Sequence, residues 1–313
     1  MDSQKSKVVI NSEKYLCENA ARGKNRLNKM NGISALKNLL MLSFCYFLLS
    51  TGFWSLTNLQ STMNAASNIG PDSLAVFYAF SMMSALLLPK WSIENFGCKK
   101  VLLVGMIASC CYIASNIYLC VGTMISASVL YGIVNGPYIS AQSLYINEMA
   151  IRFQSSTHNT METVMAYFFG TYAFFLEFSQ VCGNIISYFV LRIPNYTVER
   201  LNSSVSNKCG IRFDSDSSAN ISNANLLPPP EIERIVLISI FLVMGFLAVI
   251  LAGFFLESVE RTEKIRNGFQ SICYSLVGNL QHLKDYHQML LIPISILIGL
   301  QSSFFSNEVT LVS

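Results

Sequence analysis

Long apolar runs separated by short polar segments dominate the pattern of this chain. The first run, Asn38 to Leu59, carries no charge, and a second, shorter run follows at Ser73 to Pro89. The third run, residues 101–147, extends over 47 positions without a charge. As one helix it would be about 70 Å long, against a hydrocarbon core of about 30 Å. It therefore predicts two helices that fold back on each other, with the turn at residues 119–123.

Three more apolar runs complete the pattern, at Thr163–Leu191, Ile235–Leu256 and Met289–Phe305. Because a helix that crosses a bilayer needs about 20 mainly apolar residues, seven spans are predicted. The expected fold is all-α: a polytopic membrane bundle of six helices within residues 38–256, followed by a seventh helix at 289–307. The polar segments around them are predicted to be a disordered basic tail at 1–37, an external loop at 192–234 and a cytoplasmic linker at 257–288.

The composition supports a membrane protein and excludes several functions. The chain has 52% hydrophobic residues, 12% charged residues and a mean hydropathy of +0.44, whereas a soluble domain carries about 25% charged residues. A net charge of +3, spread over the loops, does not indicate nucleic-acid binding. The nine cysteines form no CxxC motif and no zinc-type Cys/His pair, so no metal or cofactor is predicted, and the pairing of Cys182 and Cys209 stays open. With no phosphate-binding glycine loop and no Ser/His/Asp set, we expect no enzyme.

The positive charges predict the orientation in the membrane. Sixteen Lys and Arg residues lie in the N-terminal tail and in the loops after helices two, four and six, whereas the short loops after helices one and three have none. Since cytoplasmic loops carry the excess of Lys and Arg, the N-terminus is predicted to be cytoplasmic. The loop after helix five carries five more, but long loops cross the membrane regardless of their charge.

Three N-glycosylation acceptors agree with that orientation. Asn195, Asn202 and Asn220 all lie in the predicted external loop, and no other Asn-x-Ser/Thr triplet occurs in the chain. An Asn- and Ser-rich segment also yields such triplets by chance, and Asn195 is close to the membrane for a transferase to reach. The pattern favours an integral glycoprotein. The expected residence is the plasma membrane rather than an internal membrane.

Glu177 is the most unusual residue of the apolar runs. It lies midway along the fifth predicted helix, about 21 Å from either end. An acid at that depth costs several kcal/mol unless it is paired or protonated, so it is a functional candidate. The alternative is a neutral carboxylic acid that is hydrogen-bonded to a neighbouring helix and purely structural.

Amide side chains extend this candidate intramembrane polar site. Asn135 and Gln142 flank Pro137 on the fourth helix, and Asn184 lies near the end of the fifth. The proline removes a backbone donor, and the amides offer hydrogen-bonding groups, which predicts a kinked helix that faces a cavity. Simple tight helix packing would explain the same residues.

A charged loop connects helices two and three, from Glu94 to Lys100. Its acid, its turn glycine Gly97 and its two lysines, Lys99 and Lys100, predict a cytoplasmic hairpin in which Glu94 pairs with the lysines or caps a helix. Such a charge lock could break and re-form as a bundle rocks. Ordinary charges at a membrane boundary are the alternative.

This hairpin resembles the Gly-x-x-x-Asp/Glu-Arg/Lys-x-Gly-x-Arg/Lys-Arg/Lys motif of the major facilitator superfamily. Glu94, Gly97, Lys99 and Lys100 match, while Lys90 and Asn95 replace the first glycine and the first basic residue. A broader resemblance, over residues 37–308, is to the uncoordinated-93 (unc-93) family of that superfamily. It rests on Lys37-Asn38-Leu39, Leu59-Gln60-Ser61, Gly136-Pro137, Tyr145, Tyr167 to Gly170, Gly183 to Ser187 and Gly299-Leu300-Gln301.

The resemblance implies a twelve-helix protein of two six-helix halves, of which this chain supplies the first half. It implies that the chain is a fragment, a short isoform or a half-bundle protein. Family members are associated with the regulation of two-pore potassium channels, and one relative escorts toll-like receptors to endosomes. The expected partners are therefore the lipid bilayer and a potassium channel or another membrane protein. The expected function is that of a channel regulatory subunit, with a gradient-driven transporter or a trafficking escort as alternatives.

Overall fold

The computed structural model describes residues 32–63, 69–118, 120–191, 230–258 and 286–304. Within these ranges the chain is helical and contains no strand, as the all-α prediction requires. The helices are α1 (Gly32–Met63), α2 (Ile69–Leu87), α3 (Pro89–Phe96), α4 (Cys98–Ser115), α5 (Val121–Gln154), α6 (Met161–Leu191), α7 (Glu231–Phe255) and α8 (Tyr286–Phe304). The acceptors Asn195, Asn202 and Asn220, together with Cys209, lie outside the described residues.

The first helix begins earlier than predicted. Residues 32–37, which the sequence assigned to the tail, form the first turns of α1. The reason is that Ala35 is fully buried in the bundle core and the Ser34 hydroxyl donates to Glu257 Oε1 at 3.0 Å. The helix therefore continues past its apolar run because tertiary contacts hold its polar end.

The long uncharged run breaks into two helices, as predicted. Helix α4 ends at Ser115, where the Asn116 side-chain amide donates to the Tyr112 carbonyl at 2.9 Å. Helix α5 begins at Val121, so the connection lies at 116–120, slightly before the predicted turn at 119–123.

The charged hairpin is shorter than the predicted seven-residue loop. Helix α2 ends at Leu87, and α3 continues after a bend of 67° and includes Glu94. Only Gly97 separates α3 from α4, and it has φ +79°, a left-handed conformation that favours glycine. The Gly97 N–H donates to the Ile93 carbonyl at 2.9 Å and closes α3. A single glycine therefore makes the whole turn.

Helix α1 packs against α6 and α7, and small residues bring α1 and α6 together. The Ser55 hydroxyl lies 2.5 Å from the Ser187 hydroxyl and 3.2 Å from the Gly183 carbonyl. A Cβ atom at Gly183 would lie 2.5 Å from the Thr51 carbonyl oxygen. In lipid, no hydrophobic force drives helices together. Close packing of small residues and hydrogen bonds between hydroxyl groups hold α1 and α6 together instead.

Helices α2 and α5 meet even more closely at Gly136. The Ser84 hydroxyl donates to the Gly132 carbonyl at 2.9 Å and accepts from the Gly136 N–H at 3.1 Å. An α-helix normally joins those two backbone groups directly. Ser84 therefore bridges the hydrogen-bond ladder of α5 beside Pro137, where the helix continues without interruption.

Four described helices are long and apolar enough to cross a bilayer, namely α1, α4, α6 and α7. The bent pair α2–α3 makes a fifth if it counts as one span. Helix α5 has the length, but its buried face is rich in small and polar residues, and all side chains described in α8 are exposed. The chain is thus an integral membrane helix bundle, while the division into six helices plus a seventh stays a prediction.

The contact at Gly136 leads to a stability prediction. A Cβ atom there would lie 2.5 Å from Ser84 Oγ and 2.6 Å from Ala85 Cα, so backbone has to move. We expect Gly136→Ala to destabilise the protein by about 1–3 kcal/mol and to lower its Tm in detergent.

Gly122→Ala is the matched control in the same helix, because a Cβ atom at Gly122 would have no heavy atom within 4 Å. This substitution should leave the Tm unchanged or raise it slightly. Equal Tm values for the two variants would show that α2 and α5 do not approach as described.

Candidate functional site

An aromatic cavity of about 200 Å³ lies between α1, α2, α4, α5 and α6. Tyr46, on α1, stacks on Tyr138, on α5, with ring centroids 5.1 Å apart and planes 7° apart. Tyr172, on α6, meets the Tyr46 ring edge-on at 5.3 Å. All three rings are at least 92% buried, so they form a rigid wall.

A second group of rings closes the opposite end of the cavity. Phe77, on α2, stacks on Tyr131, on α5, at 4.9 Å. Phe53, on α1, contacts both rings edge-on, at 5.9 and 5.6 Å. Because these rings come from α1, α2 and α5, they pack the three helices against one another beside the cavity.

The polar groups in the cavity wall are hydroxyls and one amide. The hydroxyl oxygens of Tyr46, Tyr138 and Ser109 are buried and have no hydrogen-bond partner among the described residues. The Tyr46 and Tyr138 hydroxyls lie near each other, as do those of Tyr131 and Ser109. A buried polar group without a partner calls for a bound water or ligand.

The aromatic cavity offers hydroxyl groups, an amide and ring faces to a ligand. No side chain that lines the cavity carries a formal charge. Hydroxyls can donate and accept hydrogen bonds, and the ring faces attract organic cations or apolar groups. The cavity is therefore suited to a small ligand with a hydroxyl, amide or ammonium group, and unsuited to an isolated anion.

Asn135 is the one predicted site residue that lines this cavity. It is 8% exposed, and its amide donates to Ser81 Oγ at 2.7 Å. Gln142, also buried, lies seven residues later and therefore on the same face of α5, beyond the cavity wall. Both amides are buried in the bundle, while their role in a polar site stays a prediction.

Glu177 and Asn184 do not join that site. Both are exposed on α6, seven residues apart on one face, and Gln180 Nε2 donates to Glu177 Oε2 at 3.1 Å. The inner face of α6 instead carries Tyr172, Ser179 and the close-contact Gly183. The four residues grouped by the sequence therefore separate into an inner pair and an outer pair.

The hairpin residues lie outside the aromatic cavity, and their position at the membrane boundary stays a prediction. Glu94 and Lys99 are half-buried, and Lys100 is exposed. The charge lock between Glu94 and the lysines stays a prediction. On α5, Arg152 forms an ion pair with Glu148, one turn earlier, at 3.2 Å. This pair links the last two turns of that helix.

Asn38 and Tyr145, which the sequence analysis named for the family resemblance and not as site residues, form a junction with Glu257 at one end of the bundle. Asn38, buried in α1, accepts the Glu257 N–H at 3.2 Å, and the Tyr145 hydroxyl donates to the Glu257 carbonyl at 3.0 Å. The chain that leaves α7 is thereby tied to α1 and α5.

A regular spacing of tyrosines could have revealed part of this arrangement. Tyr131, Tyr138 and Tyr145 follow one another at seven-residue intervals on α5 and share the face of Asn135. Their partners from α1, α2 and α6 carry no comparable signal, because contacts between distant segments leave no period in the sequence.

The comparisons with known proteins agree on one family. A family model described as "Ion channel regulatory protein UNC-93" matches residues 61–308. The chain is similar to unc-93 homolog A of Xenopus laevis, with 30% identity over 283 residues, and to that of Bos taurus, with 31% over 288. It is also similar to the putative potassium channel regulatory protein unc-93 of Caenorhabditis elegans, with 29% over 293 residues.

The matches cover most of this chain but only part of the relatives. They take in 88% of this chain and 60% of the Xenopus and Bos proteins, and 92% of this chain and 41% of the Caenorhabditis protein. The family description names ion channel regulatory proteins and not enzymes, in agreement with the sequence analysis. Because the family model covers well over half of its residues, this chain belongs to the UNC-93 family.

Proposed function

We propose that this chain is a regulatory subunit of a potassium channel and that it contacts its partner through the outer face of α6. The observation that carries the proposal is the position of Glu177, exposed at the middle of a 31-residue helix. A carboxyl group at that depth is costly against hydrocarbon. The face that carries it therefore suits contact with another protein segment rather than with lipid.

The rest of that face supports a protein contact. Phe174 and Val181, one turn before and after Glu177, are 63% and 52% exposed, and Asn184 adds an amide. Apolar rings around a few hydrogen-bonding groups are the pattern that holds membrane helices together, since polar side chains bond across the interface. This face thus offers both contact area and specificity.

The class of partner is taken from the family. The matched family model is described as an ion channel regulatory protein, and the Caenorhabditis relative is named a putative potassium channel regulatory protein. A two-pore channel is the specific partner that we propose from the resemblance. The protein is proposed to lie in the plasma membrane with its N-terminus in the cytoplasm, as a six-helix half of the major facilitator type.

Transport of a small solute is the second candidate, favoured by the aromatic cavity. Its three hydroxyls without partners, those of Tyr46, Ser109 and Tyr138, are available to a ligand. Against this candidate, Glu177 does not line the cavity, so it is poorly placed to couple proton binding to solute binding. An escort for another membrane protein would use the same α6 face and would differ by residence in the endoplasmic reticulum.

We expect co-expression of this chain to change the current of a two-pore potassium channel from the same organism, and the two proteins to co-purify. A voltage-gated potassium channel serves as the control and should be unaffected. Whole-cell currents and surface labelling provide the measurement. Unchanged currents across the organism's two-pore channels, with this chain present at the surface, would contradict the proposal.

The carboxyl group of Glu177 is expected to act as a hydrogen-bonding group in the partner interface. Glu177→Leu should lower recovery of the channel about three- to thirtyfold, since interhelical hydrogen bonds contribute about 0.6–2 kcal/mol. Glu177→Gln should retain most of the binding because it keeps the hydrogen bonds. Glu162→Gln, at the exposed start of α6, is the matched control and should behave as wild type.

The same variants separate the two candidate functions. Under the transport candidate, Glu177→Gln would remove the pH dependence of solute uptake in vesicles, while recovery of the channel would not depend on residue 177. If Glu177→Leu matches the wild type in both current and co-purification, the α6 face is not the contact.

The proposed orientation leads to a prediction about glycans. We expect digestion with an N-glycosidase to lower the apparent mass of the cell-expressed protein. The shift should disappear in a variant that combines Asn202→Gln with Asn220→Gln, whereas Asn195→Gln alone should leave most of it. Absence of a shift in the wild type would contradict an external loop at 192–234.

A further inference from the structure

A second cavity, of about 380 Å³, lies at the membrane boundary between α3, α4 and α5. Its walls are almost entirely apolar: Leu88, Trp91 and Phe96 come from the bent segment, and Val104 and Ile133 come from α4 and α5. It shares no residue with the aromatic cavity. It lies beside the 67° bend between α2 and α3.

The cavity opens on the outside of the bundle. Phe96, Val104 and Ile133 are 53%, 53% and 40% exposed. In a membrane, exposed apolar side chains on an outer surface face lipid chains. The opening is therefore accessible to an acyl chain from the bilayer.

Positive charge lies at one end of the cavity. Lys100 lines it directly, and Lys99, half-buried, is adjacent to Lys100 at the start of α4. From Lys100 to Val104 the cavity extends about 6 Å along α4. Glu94, the acid of this segment, lies two residues after the lining residue Ser92, on a different face of α3.

We propose that this cavity binds an anionic phospholipid, with its phosphate against Lys99 and Lys100 and the first part of one acyl chain against Trp91 and Val104. Basic groups beside apolar crevices at a membrane surface are the chemistry that recognises such lipids. Tryptophan is suited to this depth because its ring prefers the interface. The predicted orientation places the site in the cytoplasmic leaflet, where anionic lipids are concentrated.

The chain offers a direct probe, since it contains two tryptophans and one of them lines the cavity. In a Trp54→Phe background the fluorescence reports Trp91 alone. The full chain is reconstituted into phosphatidylcholine vesicles that contain a minor fraction of phosphatidylglycerol with brominated chains, which quench a tryptophan in contact. Vesicles with the same fraction of brominated phosphatidylcholine provide the comparison. We expect stronger quenching by the anionic lipid.

Lysine variants test the headgroup contact. Lys99→Gln and Lys100→Gln should each reduce the preference for phosphatidylglycerol about two- to fivefold, and raised salt should reduce it further. Lys37→Gln is the matched control, because Lys37 is also exposed on a helix at the predicted cytoplasmic side but does not line the cavity. It should leave the preference unchanged.

A variant that fills the cavity tests the contact with the acyl chain of the lipid. Val104→Phe should lower the quenching of Trp91 by both brominated lipids, because the ring occupies the space of the acyl chain. Val243→Phe, at a 68% exposed position on α7, should have no effect.

Two results would overturn the proposal. Equal quenching by the two lipids, insensitive to Lys99 and Lys100, would mean that the cavity meets bulk lipid without selecting a headgroup. Absence of quenching by either lipid would mean that protein covers the cavity, in which case it serves helix packing.

Discussion

The contact between α2 and α5 at Gly136 is the constraint on which the inner side of the bundle depends. One residue before Pro137, the Ser84 hydroxyl of α2 accepts from the Gly136 N–H and donates to the Gly132 carbonyl of α5. These two bonds join the backbone of α5 directly to α2. This is feasible only because glycine lets the two backbones approach. The position of α5, and with it the aromatic cavity, follows from that approach.

Small residues elsewhere make room for large rings by the same means. A Cβ atom at Gly105, on α4, would lie 2.8 Å from the Cβ atom of Tyr138, so this glycine provides the space in which the Tyr138 ring stacks on Tyr46. Gly183, in turn, makes room for the backbone of α1, since a Cβ atom there would meet the Thr51 carbonyl oxygen. Backbone contact and ring stacking are therefore linked, and a bulky residue at one glycine would displace rings on a neighbouring helix.

The polar groups of the bundle lie in three separate regions, each with a different chemistry. The inner cavity holds uncharged hydroxyls, the outer face of α6 holds Glu177 at mid-depth, and the boundary near Gly97 holds lysines. Each region suits a different neighbour, because a buried hydroxyl, a mid-membrane carboxyl and a boundary ammonium are satisfied by different chemistry. The bundle thus offers separate surfaces for the ligand, the partner protein and the lipid that we propose.

Sequence patterns alone determined the all-helical membrane fold, the break within residues 101–147 and the turn at Gly97. The length of the apolar runs and the local backbone chemistry decide these features, and both depend on residues that are close together in the sequence. Only the tertiary structure decided that Glu177 and Asn184 face away from Asn135, that Gly32–Lys37 continue α1, and that tyrosines from separate helices form a cavity. These depend on how each helix rotates and how closely it approaches its neighbours, which is settled by packing between residues far apart in the chain.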